Sequence, residues 1–192
     1  IDFIRSKALL AIETNSTLPS IQKDPIIDWS VAIHPILYLN HSKVGKKVIP
    51  LDIELNKEKR ILIISGPNAG GKSVCLKTVG LLQYMMQSGL LVPLHSSSKM
   101  GLFHAILIDI GDEQSIENDL STYSSHLTNM KQFVRNCNDK SLLLIDEFGS
   151  GTEPNIGGAI AESLLNHFNQ KKAFGVITTH YTNIKNFAEE TD

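Results

Sequence analysis

The chain is poor in the residues that build specialised protein classes. It has two cysteines in 192 residues, Cys75 and Cys137, and neither stands in a metal-binding or redox spacing. That excludes a disulfide scaffold and a cysteine-ligated zinc module, and two reduced thiols in a cytoplasmic protein are expected. Aromatic residues make up 6%, with one tryptophan. Neither sign of charge dominates: 18 Lys and Arg stand against 20 Asp and Glu, for a net charge of −2. A domain that held nucleic acid by itself would usually be clearly basic. Any nucleic-acid partner is therefore expected to find its main contacts outside these residues. No apolar run reaches membrane-span length and no signal-peptide pattern is visible, so no membrane partner is expected. Internal repeats and low-complexity tracts are missing too. What remains is an ordinary globular composition, 42% apolar and 20% charged, long enough for one sizeable core.

The chain opens mid-pattern. Phe3, Ile4, Leu10 and Ile12, with Ala8 and Ala11 between, read as the tail of a longer helix, and the whole reads as a segment of a larger protein. Residues 14–28 are loop-rich, with Pro19 and Pro25 as breakers. Two divisions are expected: 1–28 as the end of a helix with a loop-rich entry, and 29–192 as the main domain. Trp29-Ser30-Val31-Ala32-Ile33 alternates like a short strand, ended by His34-Pro35. A polar turn over 40–47 separates Ile36-Leu37-Tyr38-Leu39 from Val48-Ile49, and Leu51-Asp52-Ile53-Glu54-Leu55 alternates strictly. These pieces predict an antiparallel flap at one edge of the main sheet.

From residue 61 the pattern becomes strand–helix alternation, which argues for parallel strands with helical crossovers. Continuous apolar runs at 61–65, 105–110, 142–145 and 174–178 predict strands covered on both faces. Helices are predicted over 72–88, stopped by Gly89, and over 121–136, 156–169 and 181–190. In the third of these, Ile156, Ile160, Leu164 and Phe168, with Ala159 and Leu165 beside them, predict a core-facing stripe. The expected fold class is α/β, with a mostly parallel sheet flanked by helices.

Residues 66–73 read Gly66-Pro67-Asn68-Ala69-Gly70-Gly71-Lys72-Ser73, the G-x-x-x-x-G-K-[ST] pattern of a phosphate loop. A strand-like run precedes it and a helix-like run follows, which is the context the motif needs. A chance match in a chain of this composition has odds of roughly one in a hundred, and the flanks lower them further. Glycines there let backbone N–H groups converge on a triphosphate, and the helix N-terminus adds partial positive charge. Lys72 would reach the β- and γ-phosphates, and the Ser73 hydroxyl would ligate Mg²⁺. Together with Val74, these residues form the expected nucleotide-binding stretch.

Leu142-Leu143-Leu144-Ile145-Asp146-Glu147 delivers two carboxylates at the end of an apolar strand. A solvated acidic turn is the bland reading, and the upstream phosphate loop outweighs it. Asp146 is expected to share Mg²⁺ with Ser73. Glu147 is expected to orient or deprotonate the attacking water. His180 ends the next strand, where it can report on the γ-phosphate as donor or acceptor. The other histidines read as structural, with His126 undecided. Asp119-Leu120-Ser121-Thr122-Tyr123-Ser124-Ser125-His126 precedes an amphipathic helix. Its hydroxyls are either caps or an approach to an anion on another subunit, and composition does not choose between them.

The phosphate loop, Ile110-Gly111-Asp112-Glu113-Gln114-Ser115-Ile116, Leu120-Ser121-Thr122-Tyr123, Asp146-Glu147-Phe148-Gly149-Ser150-Gly151-Thr152 and Thr178-Thr179-His180-Tyr181 resemble the successive motifs of the MutS family ATPase domain. Ile33-His34-Pro35-Ile36-Leu37 resembles the segment before that family's phosphate loop, so the likeness runs from about Trp29 to about Asn183. Gly111-Asp112-Glu113-Gln114-Ser115-Ile116, Ser124-Ser125-His126 and Gly151-Thr152-Glu153-Pro154 resemble the second bacterial branch. That branch is linked to suppressing recombination and to rescuing collided ribosomes, and its members often carry a C-terminal Smr domain. Mismatch-recognition members usually have an acidic residue where this chain has His126.

The resemblance implies a P-loop, ABC-like, Mg²⁺-dependent ATPase that forms a homodimer with two composite sites. Ser121 and Thr122 of one subunit would face the γ-phosphate held by the other, with Asn68 beside that phosphate. Adenine would pack near Val48 and Ile49. The implied role is ATP-driven clamping of double-stranded or branched DNA in repair and recombination, through domains outside this chain. The alternative is the ATPase module of a ribosome-rescue factor of the same family. A transporter ATPase is disfavoured because Leu120-Ser121-Thr122-Tyr123-Ser124 lacks the glycines of that class's signature. A binding module without turnover is disfavoured by the intact Asp146-Glu147 pair.

Overall fold

A computed structural model of the chain describes residues 1–66, 70–111 and 119–190, the side chains at 119–123 and 189–190 excepted. The chain divides into two compact units, Ile1–Lys57 with Lys77–Leu102, and Glu58–Leu76 with Phe103–Asp192.

The first unit opens with helix α1 (Asp2–Glu13), in which only Ala11 is buried, while Phe3, Ile4, Leu9 and Ile12 are exposed. Strands β1 (Ser20–Gln22), β2 (Ile27–Ala32), β3 (Leu51–Leu55) and β5 (Lys99–Gly101) form a sheet in the order β1-β5-β2-β3. Pairing is antiparallel between β2 and β3 and between β2 and β5, and parallel between β1 and β5. This corrects the expected edge flap: the N-terminal strands make a mixed sheet of their own. The deciding element is β5, three residues long and too short to show a period in sequence, which inserts between β1 and β2.

A second correction concerns Ile36-Leu37-Tyr38-Leu39. These residues lie in helix α2 (Pro35–Ser42). Pro35 stands at the first helical turn, and Nδ1 of the His34 N-cap accepts the Leu37 N–H at 3.4 Å. Proline's fixed φ suits that position, and a capped start outweighs the apolar run's strand propensity.

Helix α3 (Lys72–Gln87) ends as its sequence predicts. Gly89 has φ 72°, its N–H reaches Met86 O at 2.9 Å, and the Leu90 N–H reaches Met85 O at 3.0 Å. That pair of bonds is a Schellman stop. The boundary between units falls within α3, after Leu76.

The second unit carries strands β4 (Ile61–Ser65), β6 (Ala105–Asp109), β7 (Ser141–Ile145) and β8 (Phe174–Thr179), all parallel, in the order β4-β8-β7-β6. Helices α4 (Asp119–Asn136), α5 (Pro154–Gln170) and α6 (Thr182–Glu190) alternate with them. Leu143, Ile145 and Ile177 from the strands join Met130 and Phe133 of α4, Ala161, Leu165 and Phe168 of α5 and Ile184 of α6 in one buried cluster. Leu142, Leu144 and Val176, whose side chains alternate to the opposite face of the sheet, are fully buried as well. The runs at 142–145 and 174–178 therefore meet the expectation of strands covered on both faces, whereas β4 is only half-buried and Ile108 of β6 is 53% exposed, because these two are the edge strands of the sheet. Cys75 and Cys137 are free thiols; burial pushes the pKa of both up, that of Cys75 to about 11.

In α5 the buried stripe keeps Leu165 and Phe168 of the predicted one, with Leu164 partly buried against the core, but departs from it in the first half of the helix. Gly157, Gly158, Ala161, Leu165 and Phe168 face inward, whereas Ile156 and Ala159 are exposed and Ile160 is 38% exposed. The reason is close packing. An added Cβ at Gly157 would stand 2.4 Å from the Gly149 carbonyl oxygen and 2.9 Å from the Tyr181 hydroxyl. Only a side-chain-free face lets the helix lie that near the turn after β7.

Candidate active site at the carboxyl ends of the parallel strands

Parallel register brings the ends of all four strands of the second unit to one edge. Ser65 pairs with Thr179, Ile145 with Ile177, and Asp109 with Ile145. Gly66, His180, Asp146-Glu147 and Ile110 therefore follow their strands on the same edge, where ligands bind in open α/β sheets. Because β8 lies between β4 and β7, Thr178 and Thr179 separate the start of the phosphate-loop motif from the carboxylate pair.

Thr178 binds three consecutive residues of the neighbouring strand end. Its hydroxyl donates to Asp146 Oδ1 and accepts the Glu147 N–H at 2.8 Å, and its carbonyl accepts the Phe148 N–H at 2.8 Å. Glu147 itself has φ 50°. For a non-glycine residue that left-handed conformation costs about 1–2 kcal/mol, and the bonds from Thr178 oppose its relaxation. The turn continues with the Ser150 N–H on Glu147 O at 2.9 Å and the Tyr181 hydroxyl on Gly149 O at 3.1 Å. Asp146 is buried and Glu147 half-buried, so the pair combines one sheltered and one accessible carboxylate.

A third carboxylate stands beside them. Asp109 ends β6, and its carbonyl accepts the Asp146 N–H at 2.9 Å. Its Oδ2 lies 2.6 Å from His126 Nδ1, and its Oδ1 accepts from Asn129 Nδ2 at 2.7 Å. The Asp109 hydrogen bond raises the pKa of His126, with Asp146 and Glu147 adding attraction and partial burial opposing. These acids, His126, and apolar groups of α4 and α5 line a cavity of about 40 Å³, room for a water or two.

Lys72 is 5% exposed and its ammonium donates to the Gly66 carbonyl. Gly66 and Gly71 have φ 145° and 82°, conformations L residues rarely adopt. Ser73 is half-buried and Val74 is 42% exposed. Pro67, Asn68 and Ala69 lie outside the described residues, as do residues 112–118 and the side chains of Ser121 and Thr122, whose backbone forms the first turn of α4. His180 is exposed at the end of β8. Val48 is half-buried and Ile49 is 91% exposed, both in the first unit.

Sequence reasoning missed three residues of this cluster: Asp109, Asn129 and Thr178. Asp109 carried the same signal as Asp146, an acid closing an apolar strand. Asn129 had none, and Thr178 stood in the Thr178-Thr179-His180-Tyr181 stretch, where only His180 was given a role. The donor set fits a magnesium nucleotide: a serine hydroxyl and a buried carboxylate are the hard oxygen ligands Mg²⁺ prefers, and Lys72 supplies positive charge at a helix start.

The family model described as MutS domain V matches residues 62–192. The chain is 45% identical over its full length to "Endonuclease MutS2" of Clostridium tetani, 46% to that of Agathobacter rectalis and 43% to that of Carboxydothermus hydrogenoformans. It spans 24% of the length of each of these relatives.

Proposed function

Given that the chain belongs to the MutS family, in the branch of the relatives called MutS2, we propose that it is the ATP-binding and ATP-hydrolysing domain of a DNA repair or recombination protein. The observation that carries the reading is the Asp146-Glu147 pair, held in a fixed turn on the strand edge that also starts the phosphate-loop motif.

In this reading the backbone of residues 66–73 and Lys72 bind the phosphates. Ser73 and Asp146 would hold Mg²⁺, which would supply positive charge to neutralise the phosphates. Glu147 takes the proton of the water that attacks the γ-phosphorus as the bond to the β–γ bridging oxygen breaks. His180 contacts the γ-phosphate from the end of β8. Adenine packs near Val48 and Ile49. A second copy of the chain supplies Ser121 and Thr122, so turnover is linked to dimer closure and, through the rest of the protein, to clamping of DNA.

Calorimetric titration with Mg·ATP tests the reading. The protein should bind one nucleotide per chain, and Lys72→Ala should weaken binding at least about tenfold, the loss of one charge-assisted contact. Unchanged affinity in that variant would refute the assignment.

A further inference from the structure

We infer that Thr178 is the positioning residue of the carboxylate pair, an inference that rests on the reading of this site as an ATPase. Thr178 is fully buried, begins the Thr178-Thr179-His180-Tyr181 stretch with no role assigned to it, and reaches the reacting groups only through its neighbours. A threonine hydroxyl has one proton to give and lone pairs to receive. The Glu147 N–H occupies a lone pair at 2.8 Å, so the proton goes to Asp146 Oδ1. One hydroxyl thus fixes the orientation of Asp146 and the backbone of Glu147 together. The carbonyl of the same residue holds the Phe148 N–H at 2.8 Å. The Thr178 contact engages Asp146 through Oδ1.

The arrangement explains how Glu147 keeps a left-handed φ of 50°. The strained residue is pinned from β8 by a side chain: the strand register ends at Ile145–Ile177, and it is the Thr178 hydroxyl that takes the Glu147 N–H, next to the backbone bond from the Phe148 N–H to the Thr178 carbonyl. Strain held by surrounding structure at a reacting residue is a form of preorganisation. Valine has nearly the shape of threonine but neither gives nor receives a hydrogen bond. It would leave Asp146 free to rotate and Glu147 free to relax.

The test measures phosphate release and ATP binding for the wild-type protein, Thr178→Val and Thr178→Ser, each with Glu147 and with Glu147→Gln. Thr178→Val should lower kcat by about ten- to a hundredfold, the effect of misplacing a reacting group by about an ångström. ATP affinity measured without Mg²⁺ should stay within about threefold, since Thr178 orients the metal ligand Asp146 and the Glu147 backbone and is assigned no contact with the nucleotide. Thr178→Ser should restore most of the rate. In the Glu147→Gln background the Thr178→Val loss should shrink, because both changes remove the same function. A merely structural role predicts the same loss in both backgrounds. That result, a wild-type kcat in Thr178→Val, or a serine variant as slow as the valine one would overturn the inference. If Thr178→Val does not fold, Thr178→Ala replaces it, with the same expectations. A wild-type protein that neither binds nor hydrolyses ATP would overturn the reading of the site itself, an outcome visible before any Thr178 variant is compared.

Discussion

His126 on α4 and Asp109 at the end of β6 form a hydrogen-bonded pair, with Nδ1 of the imidazole 2.6 Å from Oδ2 of the carboxylate. The pair is 20% and 6% exposed at its side chains and ties α4 to the strand that lies next to the one carrying Asp146. Asn129, one turn further along α4, holds the other oxygen of Asp109. Two side chains of one helix face thus clamp a single carboxylate.

The pair makes stability depend on pH in a defined direction. Asp109 raises the folded-state pKa of His126 above its ordinary 6.5, with Asp146 and Glu147 contributing. A raised pKa means stabilisation that is complete below 6.5 and lost as pH rises through the folded-state value. Burial lowers the pKa of His34, which acts in the opposite sense. The difference between wild type and His126→Gln isolates the pair. In urea melts from pH 5 to 9, the wild-type advantage should be largest at the acid end and shrink with rising pH. A constant difference would show that His126 titrates alike in both states.

Glu147→Gln should keep ATP binding and slow hydrolysis by roughly a hundredfold or more, the range for a positioned acid or base. Asp146→Asn should instead weaken binding chiefly in the presence of Mg²⁺. Parallel titrations with and without the metal separate the two. Wild-type turnover in Glu147→Gln would move the base role to His180.

Composite sites predict that activity rises with protein concentration and that two inactive variants complement each other. In a mixture of Lys72→Ala and Ser121→Arg, each mixed dimer holds one site with an intact Lys72 and an intact Ser121. Phosphate release should reappear on mixing. Concentration-independent activity with no recovery would assign the 121–123 segment to helix capping alone.

Gly157→Ala tests the close approach of α5 to the turn after β7. The new methyl would meet the Gly149 carbonyl oxygen at 2.4 Å, and backbone must move. The expected loss is about 1–3 kcal/mol of stability, typical of overpacking, read from the urea midpoint. A lower kcat should accompany it, because Gly149 and Glu147 share the turn. Unchanged stability would mean the turn shifts freely.

The strands and the motifs behind the proposed site were legible in the sequence because both are written locally. The phosphate-loop motif and the apolar run ending in Asp146-Glu147 are contiguous strings, and the runs 61–65, 105–110, 142–145 and 174–178 each foretold a strand to within one residue at either end. Apolar strands buried on both faces leave a continuous signal that needs no partner to be read. Helix ends set by caps were equally plain, as at Gly89. Glu153, which accepts the Asn155 and Ile156 N–H groups, began α5 earlier than its apolar pattern did.

Tertiary structure decided what depends on who stands next to whom. The α5 stripe rotated toward glycines because packing distance, not hydrophobicity, ruled that face. The mixed sheet arose because Lys99-Met100-Gly101 found its partners across distant parts of the chain. The clamp on Asp109 and the grip of Thr178 on three residues of another strand follow from the order β4-β8-β7-β6. Strand order in a parallel sheet is set by crossovers and shared burial, and no local string records it. The sequence by itself determined the local motifs on which the proposed site rests; only the folded sheet decided which neighbours stand against them, because hydrogen bonds act over about three ångströms between residues tens of positions apart.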